Sequence, residues 1–148
     1  MSKSYGSYQP AVAMHFIARH EGLSLKAYLC PAGVWTIGYG RTNGVREGDE
    51  CTTEDAASWL VEDIEATQKA LAKYVNMPVT EGQFIALTSL AFNVGVGNVL
   101  KSKLLRKLNA GDIRGAAQEF LDFDLANGKR LPGLTARRKD ESELFLKV

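Results

Sequence analysis

The chain has few of the residues with which small proteins build covalent or metal-held structure. Its two cysteines, Cys30 and Cys51, in 148 residues are too few for a disulfide scaffold of this size. Its two histidines, His15 and His20, lie upstream of both cysteines and five positions apart. That misses the i, i+4 spacing of a zinc-binding helix, so no metal site is expected. Long hydrophobic runs are absent too: no stretch approaches the roughly 20 apolar residues that would cross a bilayer. The longest, Ala11 to Ile17, is broken by His15 and followed by Arg19 and His20, which reads as neither a membrane anchor nor a signal peptide. The expectation is a protein made and folded in a cytoplasm, with no membrane insertion. Repeats and low-complexity segments are missing as well.

Excess charge of one sign is also lacking. Eighteen Lys and Arg against 17 Asp and Glu leave a net charge of +1, so charge alone does not point to nucleic acid. The distribution is uneven, since Arg106, Lys107, Arg114, Lys129, Arg130, Arg137, Arg138 and Lys139 crowd the C-terminal third. An anionic polymer therefore remains a possible partner. Hydrophobic residues at 45% and charged residues at 24% are ordinary for a globular domain, and the length suits one domain with a real core.

Against this plain background one stretch is dense in reactive groups. From Glu21 to Gly40 the chain carries a carboxylate, then the thiol of Cys30, then the hydroxyl of Thr36. Trp35, Thr36, Ile37 and Tyr39 are β-type residues, interleaved with Gly33, Gly38 and Gly40, which let the backbone turn or approach a ligand closely.

In chain order, residues 1 to 10 read as a mobile tail. Val12, Phe16 and Ile17 follow helical spacing up to Glu21-Gly22, where the glycine closes the helix. A carboxylate there meets the negative end of the helix dipole, which favours its protonated form, a useful direction for a general acid. Tyr28 to about Thr42 reads as a small antiparallel sheet. Asn43-Gly44 is a hairpin signal, and Arg46 to Glu50 a polar connection. Thr52 with Asp55 approximates a capping box that opens a helix running to about Tyr74, with Ala56, Trp59, Leu60, Ile64, Leu71 and Val75 on its apolar face. Thr80-Glu81-Gly82-Gln83 starts a second, which Asn93, Gly95 and Gly97 end. Further helices are expected at about Lys101 to Leu108, at Ile113 to Phe123 behind an Asp112 cap, and at Thr135 to Leu146. Asn127-Gly128 and Pro132-Gly133 mark a loop. The order is α+β, with strands segregated near the N-terminus and a helix long enough to bridge two lobes. Such a bridge leaves a cleft.

Each candidate residue has an ordinary reading beside the chemical one. Glu21 is a solvated helix-end residue or an acid. Cys30 is a small hydrophobe in a turn or a reactive thiol. Thr36 is a β-branched strand residue or a hydroxyl in a site. Phe92 and Asn93 are a core aromatic and a helix cap, or a pair that stacks on and hydrogen-bonds a sugar. Arg137-Arg138 is a solvated face, or a contact to Glu21 or an anionic substrate.

Taken together, these residues resemble the phage-type lysozymes, the muramidase endolysins of glycoside hydrolase family 24. That family's signature is a Glu, eight residues, an Asp or sometimes Cys, five residues, then Thr; here it is Glu21, Cys30 and Thr36. The flanks match at Glu21-Gly22-Leu23, Lys26-Ala27-Tyr28 and Gly33 to Gly40. Two later blocks match as well. One is Gln83, Ala86-Leu87, Ser89-Leu90, Phe92-Asn93 and Gly95; the other is Gly133-Leu134, Arg137-Arg138, Glu141 and Leu144-Phe145.

The resemblance implies one mostly helical, lysozyme-like catalytic domain over residues 1–148. Its parts would be an N-lobe over about 12–52 with a small antiparallel sheet, a linking helix over about 52–75 and a helical C-lobe over about 78–148. It also implies hydrolysis of the β-1,4 bond between N-acetylmuramic acid and N-acetylglucosamine in peptidoglycan, without metal or organic cofactor. Glu21 would be the general acid, with Arg137 near it. Cys30 and Thr36 would handle the attacking water, and Thr42, Phe92, Asn93 and Arg137 would contact the saccharide. By the same resemblance the protein is a monomer that waits in the host cytoplasm for a holin to permeabilise the membrane.

Two departures stand out. Arg41 lies where the T-even member carries a histidine, and Cys30 replaces the commoner Asp. A thiol ionises near pH ~8.5 against ~3.9 for Asp, so Cys30 must be depressed toward thiolate or leave more of the work to Thr36. Cys30 and Cys51 form a possible redox pair or remain two independent thiols. The rival functions are a cysteine-dependent amidase or peptidase, which the lack of any histidine downstream of Cys30 disfavours, a lytic transglycosylase, and a non-catalytic wall-binding module.

Overall fold

The computed structural model describes residues 1–126 and 129–147. In order, its elements are β1 (Ser2–Lys3), α1 (Met14–Glu21), β2 (Ser24–Leu29), β3 (Trp35–Gly38), α2 (Thr53–Ala72), β4 (Val79–Thr80), α3 (Glu81–Val94), α4 (Val96–Leu100), α5 (Lys103–Asn109), α6 (Ile113–Glu119), β5 (Leu125–Ala126), β6 (Lys129–Arg130) and α7 (Pro132–Leu146). Short 3-10 turns occur at Tyr5–Ser7, Pro10–Ala13 and Phe120–Phe123. The strands form three antiparallel pairs, β1 with β4, β2 with β3 and β5 with β6. The result is α+β and mostly helical, as expected, but the strands are not all segregated near the N-terminus, since β4 and the β5–β6 pair follow α2.

Both capping boxes form. Thr52 Oγ1 accepts from the Asp55 N–H at 3.0 Å while Asp55 Oδ2 accepts from the Thr52 N–H at 3.1 Å, which starts α2. Thr80 and Gln83 do the same for α3 at 3.1 and 2.9 Å. Each box satisfies two otherwise unpaired helix-end donors. α2 buries Ala56, Leu60, Ile64, Gln68 and Leu71, one stripe at helical spacing. α3 is buried on nearly every side, from Gln83 and Phe84 through Ala91. It is the central helix, and α7 packs along it so closely that a Cβ on Gly82 would lie 2.6 Å from the Leu144 carbonyl oxygen.

Four further expectations are corrected. Residues 1 to 10 are not a loose tail: β1 pairs with β4, and Tyr5 and Tyr8 are buried against Phe84 at centroid distances of 5.1 and 4.9 Å. Gln68 Nε2 donates to the Tyr8 carbonyl at 2.7 Å, which explains a polar residue on the buried stripe of α2. Second, Asn43-Gly44 makes a turn but joins no strands. The β2–β3 hairpin turns instead at Cys30–Val34, where the Cys30 N–H donates to Val34 O at 3.0 Å. Ile37 and Arg41 then exchange both backbone bonds at 2.9 Å, reversing the chain before Asn43 is reached. Third, the helix expected at about Lys101 to Leu108 is α5, capped by Ser102, which accepts from the Leu105 N–H at 3.3 Å, but a further short helix, α4, precedes it where Gly95 and Gly97 were expected only to end α3. Fourth, Pro132-Gly133 opens α7 rather than preceding it. Proline fits a first helical position because its missing N–H would have no partner there. Asn127-Gly128, the other half of that predicted loop, lies outside the described residues.

Candidate functional site

Glu21 is the last residue of α1, whose C-terminus is closed by the Gly22 N–H donating to Ala18 O at 3.0 Å. Its carboxylate is partly buried and held from two sides. Arg137 Nη1 on α7 donates to Glu21 Oε2 at 2.6 Å. On the other side stands Gly40, in the turn that follows β3, with φ at +87°. A Cβ there would fall 2.8 Å from Glu21 Oε1 and 3.9 Å from the Phe92 ring, so only glycine lets this backbone approach the acid.

Arg137 is only 4% exposed and lies beneath the acid, away from the open surface. Its Nε donates to Glu141 Oε2 at 3.3 Å, and its Nη2 donates to the Ser89 carbonyl at 3.2 Å and to Ser89 Oγ at 3.1 Å. Ser89 Oγ in turn donates to Glu141 Oε2 at 2.5 Å. Arg138 completes the cluster. Its Nε lies 2.8 Å from Glu141 Oε1 in an ion-pair contact bent away from hydrogen-bond geometry, and its Nη2 donates to Asn93 Oδ1 at 2.9 Å. Burial pushes the Glu141 carboxyl up, against the pull of Arg138, the Ser89 hydroxyl and Arg137. Burial likewise lowers the Arg138 guanidinium, against the pull of Glu141.

Cys30 and Thr36 meet on the β2–β3 hairpin. Thr36 pairs across it with Tyr28 and is 4% exposed, and its hydroxyl donates to Val34 O at 3.0 Å. Backbone groups of Val34 and then Ala32, together with the Thr36 hydroxyl, hold the half-buried Cys30 thiol below its ordinary range. Four residues after Thr36 the turn that follows β3 brings Gly40 against Glu21. Cys51 does not approach Cys30. Its N–H bonds to Leu25 O at 2.9 Å, and five residues of strand at ~3.3 Å each carry the backbone about 16 Å from Leu25 to Cys30, far beyond disulfide reach. Both cysteines are free.

Gly40, Thr42 and Phe92 share an open pocket of about 250 Å³ with Arg41, Asn43, Asp63, Ala66 and Thr67. Thr42 and Phe92 thus face one cleft, which the acid adjoins through Gly40. Asn93, grouped with them by sequence, instead has its carbonyl oxygen committed to Arg138. Asp63 and Thr67 of α2, which the sequence reading did not single out, line the same pocket. Their i, i+4 spacing was the available signal for a cleft wall. Arg41 lies 3.4 Å from Glu62 and 3.8 Å from Asp63, and its guanidinium stacks 5.2 Å from the Trp59 ring centroid. Burial raises Asp63, Arg41 counters it, and Glu62 adds to it. A larger depression of about 480 Å³, between Phe16 and Arg19 of α1 and the outer side of α7, is lined by none of these residues. Among the described residues no group of three His, Cys, Asp or Glu is placed to hold a metal ion, and no helix is long and apolar enough to cross a membrane.

The chain is similar to known proteins in sequence and fold. An endolysin from Acyrthosiphon pisum secondary endosymbiont phage 1 is 47% identical over 133 residues, 87% of this chain and 91% of that one. The muramidase domain of SpmX from Asticaccaulis excentricus superposes with a TM-score of 0.85 at 37% identity, covering 92% of this chain and 95% of that one. The endolysin from Escherichia coli O157:H7 phage FAHEc1 gives 0.84 at 33% identity, covering 94% and 93%. The phage lysozyme family model matches residues 18–141, which takes in Glu21, the hairpin, α3 and the Arg137–Glu141 cluster, and the chain belongs to the phage lysozyme family.

Proposed function

We infer that this protein is an endolysin that degrades peptidoglycan by hydrolysing the β-1,4 bond between N-acetylmuramic acid and N-acetylglucosamine, with Glu21 as general acid. The observation that carries this reading is the seat of Glu21: held by Arg137 at 2.6 Å, pressed against Gly40, and bordering the cleft lined by Thr42 and Phe92. Glu21 gives its proton to the leaving glycosidic oxygen. Water attacks the anomeric carbon, donating a hydrogen bond to Thr36 Oγ1 and passing its proton to Cys30 as thiolate. This is two-carboxylate chemistry with a thiol in the second place. Phe92 and Thr42 contact the saccharide. Arg137 serves the acid from below.

On this reading residues of about 12–52 and 78–148 form the two walls of the cleft, with the helix over about 52–75 between them. The enzyme acts as a monomer on the cell wall after a membrane-permeabilising partner releases it from the host cytoplasm. The expected product of digesting purified peptidoglycan is a fragment with an intact reducing muramic acid end. Anhydro ends in the mass spectrum would make it a transglycosylase, and new free amines an amidase. Glu21→Gln should lose at least about a hundredfold in rate, the ordinary contribution of a general acid. Full activity in that variant would remove Glu21 from the chemistry.

A further inference from the structure

Glu141 is an expensive residue to keep where it is. It is 0% exposed, and burying a carboxylate costs several kcal/mol (roughly) unless its partners are well placed. It is also not among the residues that line the cleft. Its partners are what distinguish it: Arg137, which holds the acid, then Arg138 and Ser89.

We propose that Glu141, seated by Ser89, is a positioning residue that both orients Arg137 beneath Glu21 and offsets the positive charge that Arg137 and Arg138 present to the acid. Two observations carry this. The first is geometric. Arg137 is a planar group with a rigid set of donors, and here each face of it is assigned. One Nη meets Glu21, while Nε and the other Nη meet Glu141 and Ser89. Ser89 links the arrangement from a different helix by accepting from Arg137 and donating to Glu141. Rotation of the guanidinium away from Glu21 would break all of these bonds together.

The second is charge. Glu21 and Glu141 against Arg137 and Arg138 make a neutral set. When Glu21 carries the proton it must donate, Glu141 is left as the balancing anion of the four. Without it, two adjoining guanidiniums would present their positive charge to Glu21 with no second anion beside them. The other charged groups gathered there are His20 and Arg19 from α1 and Asp140 from α7, with His20 Nε2 3.2 Å from Asp140 Oδ2. α3 contributes only the neutral Ser89 and Asn93, and the turn after β3 contributes backbone at Gly40.

This proposal rests on the reading of Glu21 as general acid, and its test separates the two. The measurement is the pH dependence of kcat/KM on purified peptidoglycan for wild type, Glu141→Gln, Ser89→Ala and Glu21→Gln, with thermal melts on each. Glu141→Gln keeps the shape and removes the charge. Its alkaline limb should move to lower pH by about one unit, a loss of about tenfold on that side. Ser89→Ala, which keeps the charge but unseats it, should move the limb the same way by less, and covers the case in which Glu141→Gln does not fold. Glu141→Asp should recover part of the shift. A uniform fall in rate at every pH, or a lower Tm with an unmoved profile in either variant, would reduce Glu141 to a structural residue and overturn the proposal. Wild-type activity in Glu21→Gln would instead remove the acid and with it the proposal's subject.

Discussion

A thiol replaces a carboxylate in acid–base work only if it ionises, and the turn around Cys30 favours that. Backbone groups of Val34 and Ala32 and the Thr36 hydroxyl lower it, yet it starts from a range far above that of Asp. The sign for activity follows. If Cys30 acts as thiolate, the rate rises with pH through the thiol's ionisation, while an Asp at the same place is already ionised in mild acid. Cys30→Asp should therefore remain active, with an acidic limb displaced to lower pH than in the wild type. Cys30→Ser, which ionises at no accessible pH, should lose activity but less than Glu21→Gln, since in the proposed mechanism Thr36 still holds the water. Turbidity clearance of outer-membrane-permeabilised cells across pH reads all three. Superimposed acidic limbs for wild type and Cys30→Asp would mean that Cys30 is not the titrating group. Glu21, Cys30 and Thr36 were legible because one short stretch carries them. Glu141 and Ser89 were matched by resemblance without a role, because a buried carboxylate reads in sequence like any solvated helix residue. Its partner in α3 lies 52 positions away.

Among the elements, the pairing of α3 with α7 controls the site, since it sets Ser89 against Arg137 and Glu141. Gly82 is where that pairing is closest. Its backbone is helical, so alanine costs nothing there conformationally and should stabilise an exposed helix by up to about 1 kcal/mol. Here the new Cβ would sit 2.6 Å from the Leu144 carbonyl oxygen, a backbone atom that moves only with α7. Gly82→Ala should therefore destabilise by about 1–3 kcal/mol, the usual cost of overpacking. Equilibrium denaturation measures it, and a gain in stability would show that α7 yields freely. The sequence offered Gly82 only as the interior of a capping box, and the box is real. Its second role depends on a helix 62 residues further on, which no local pattern announces. Caps and apolar stripes were legible for the same reason that the hairpin was not. Thr52, Thr80 and Asp112 act on the next turn of chain. The choice between Asn43-Gly44 and Cys30–Val34 was made by the pairing of Ile37 with Arg41 and of Lys26 with Glu50.

At the scale of the whole molecule α3 connects every part. Its Phe84 and Thr88 face the N-terminal segment, its Ser89 faces the arginines, its Phe92 faces the cleft and its Asn93 holds Arg138. The first eight residues are consequently part of the support. Tyr5 packs on Phe84 and its hydroxyl shares a 2.6 Å hydrogen bond with Thr88 Oγ1. Tyr8 stacks on the same ring and donates to Val79 O at 2.6 Å. Gln68 secures both backbone carbonyls from α2. Tyr5→Ala removes a fully buried aromatic and should cost about 3–5 kcal/mol, which for a chain of this length lowers Tm by about 10 °C. Tyr5→Phe keeps the ring and loses one hydrogen bond, about 1 kcal/mol, because Thr88 still donates to Phe84 O at 2.7 Å. Neither change touches the cleft, so below the transition both variants should clear peptidoglycan at the wild-type rate. A Tyr5→Ala protein with an unchanged Tm would show that the segment is not part of the core. One with a normal Tm and a slow rate would instead place the N-terminus in the path from α3 to the acid.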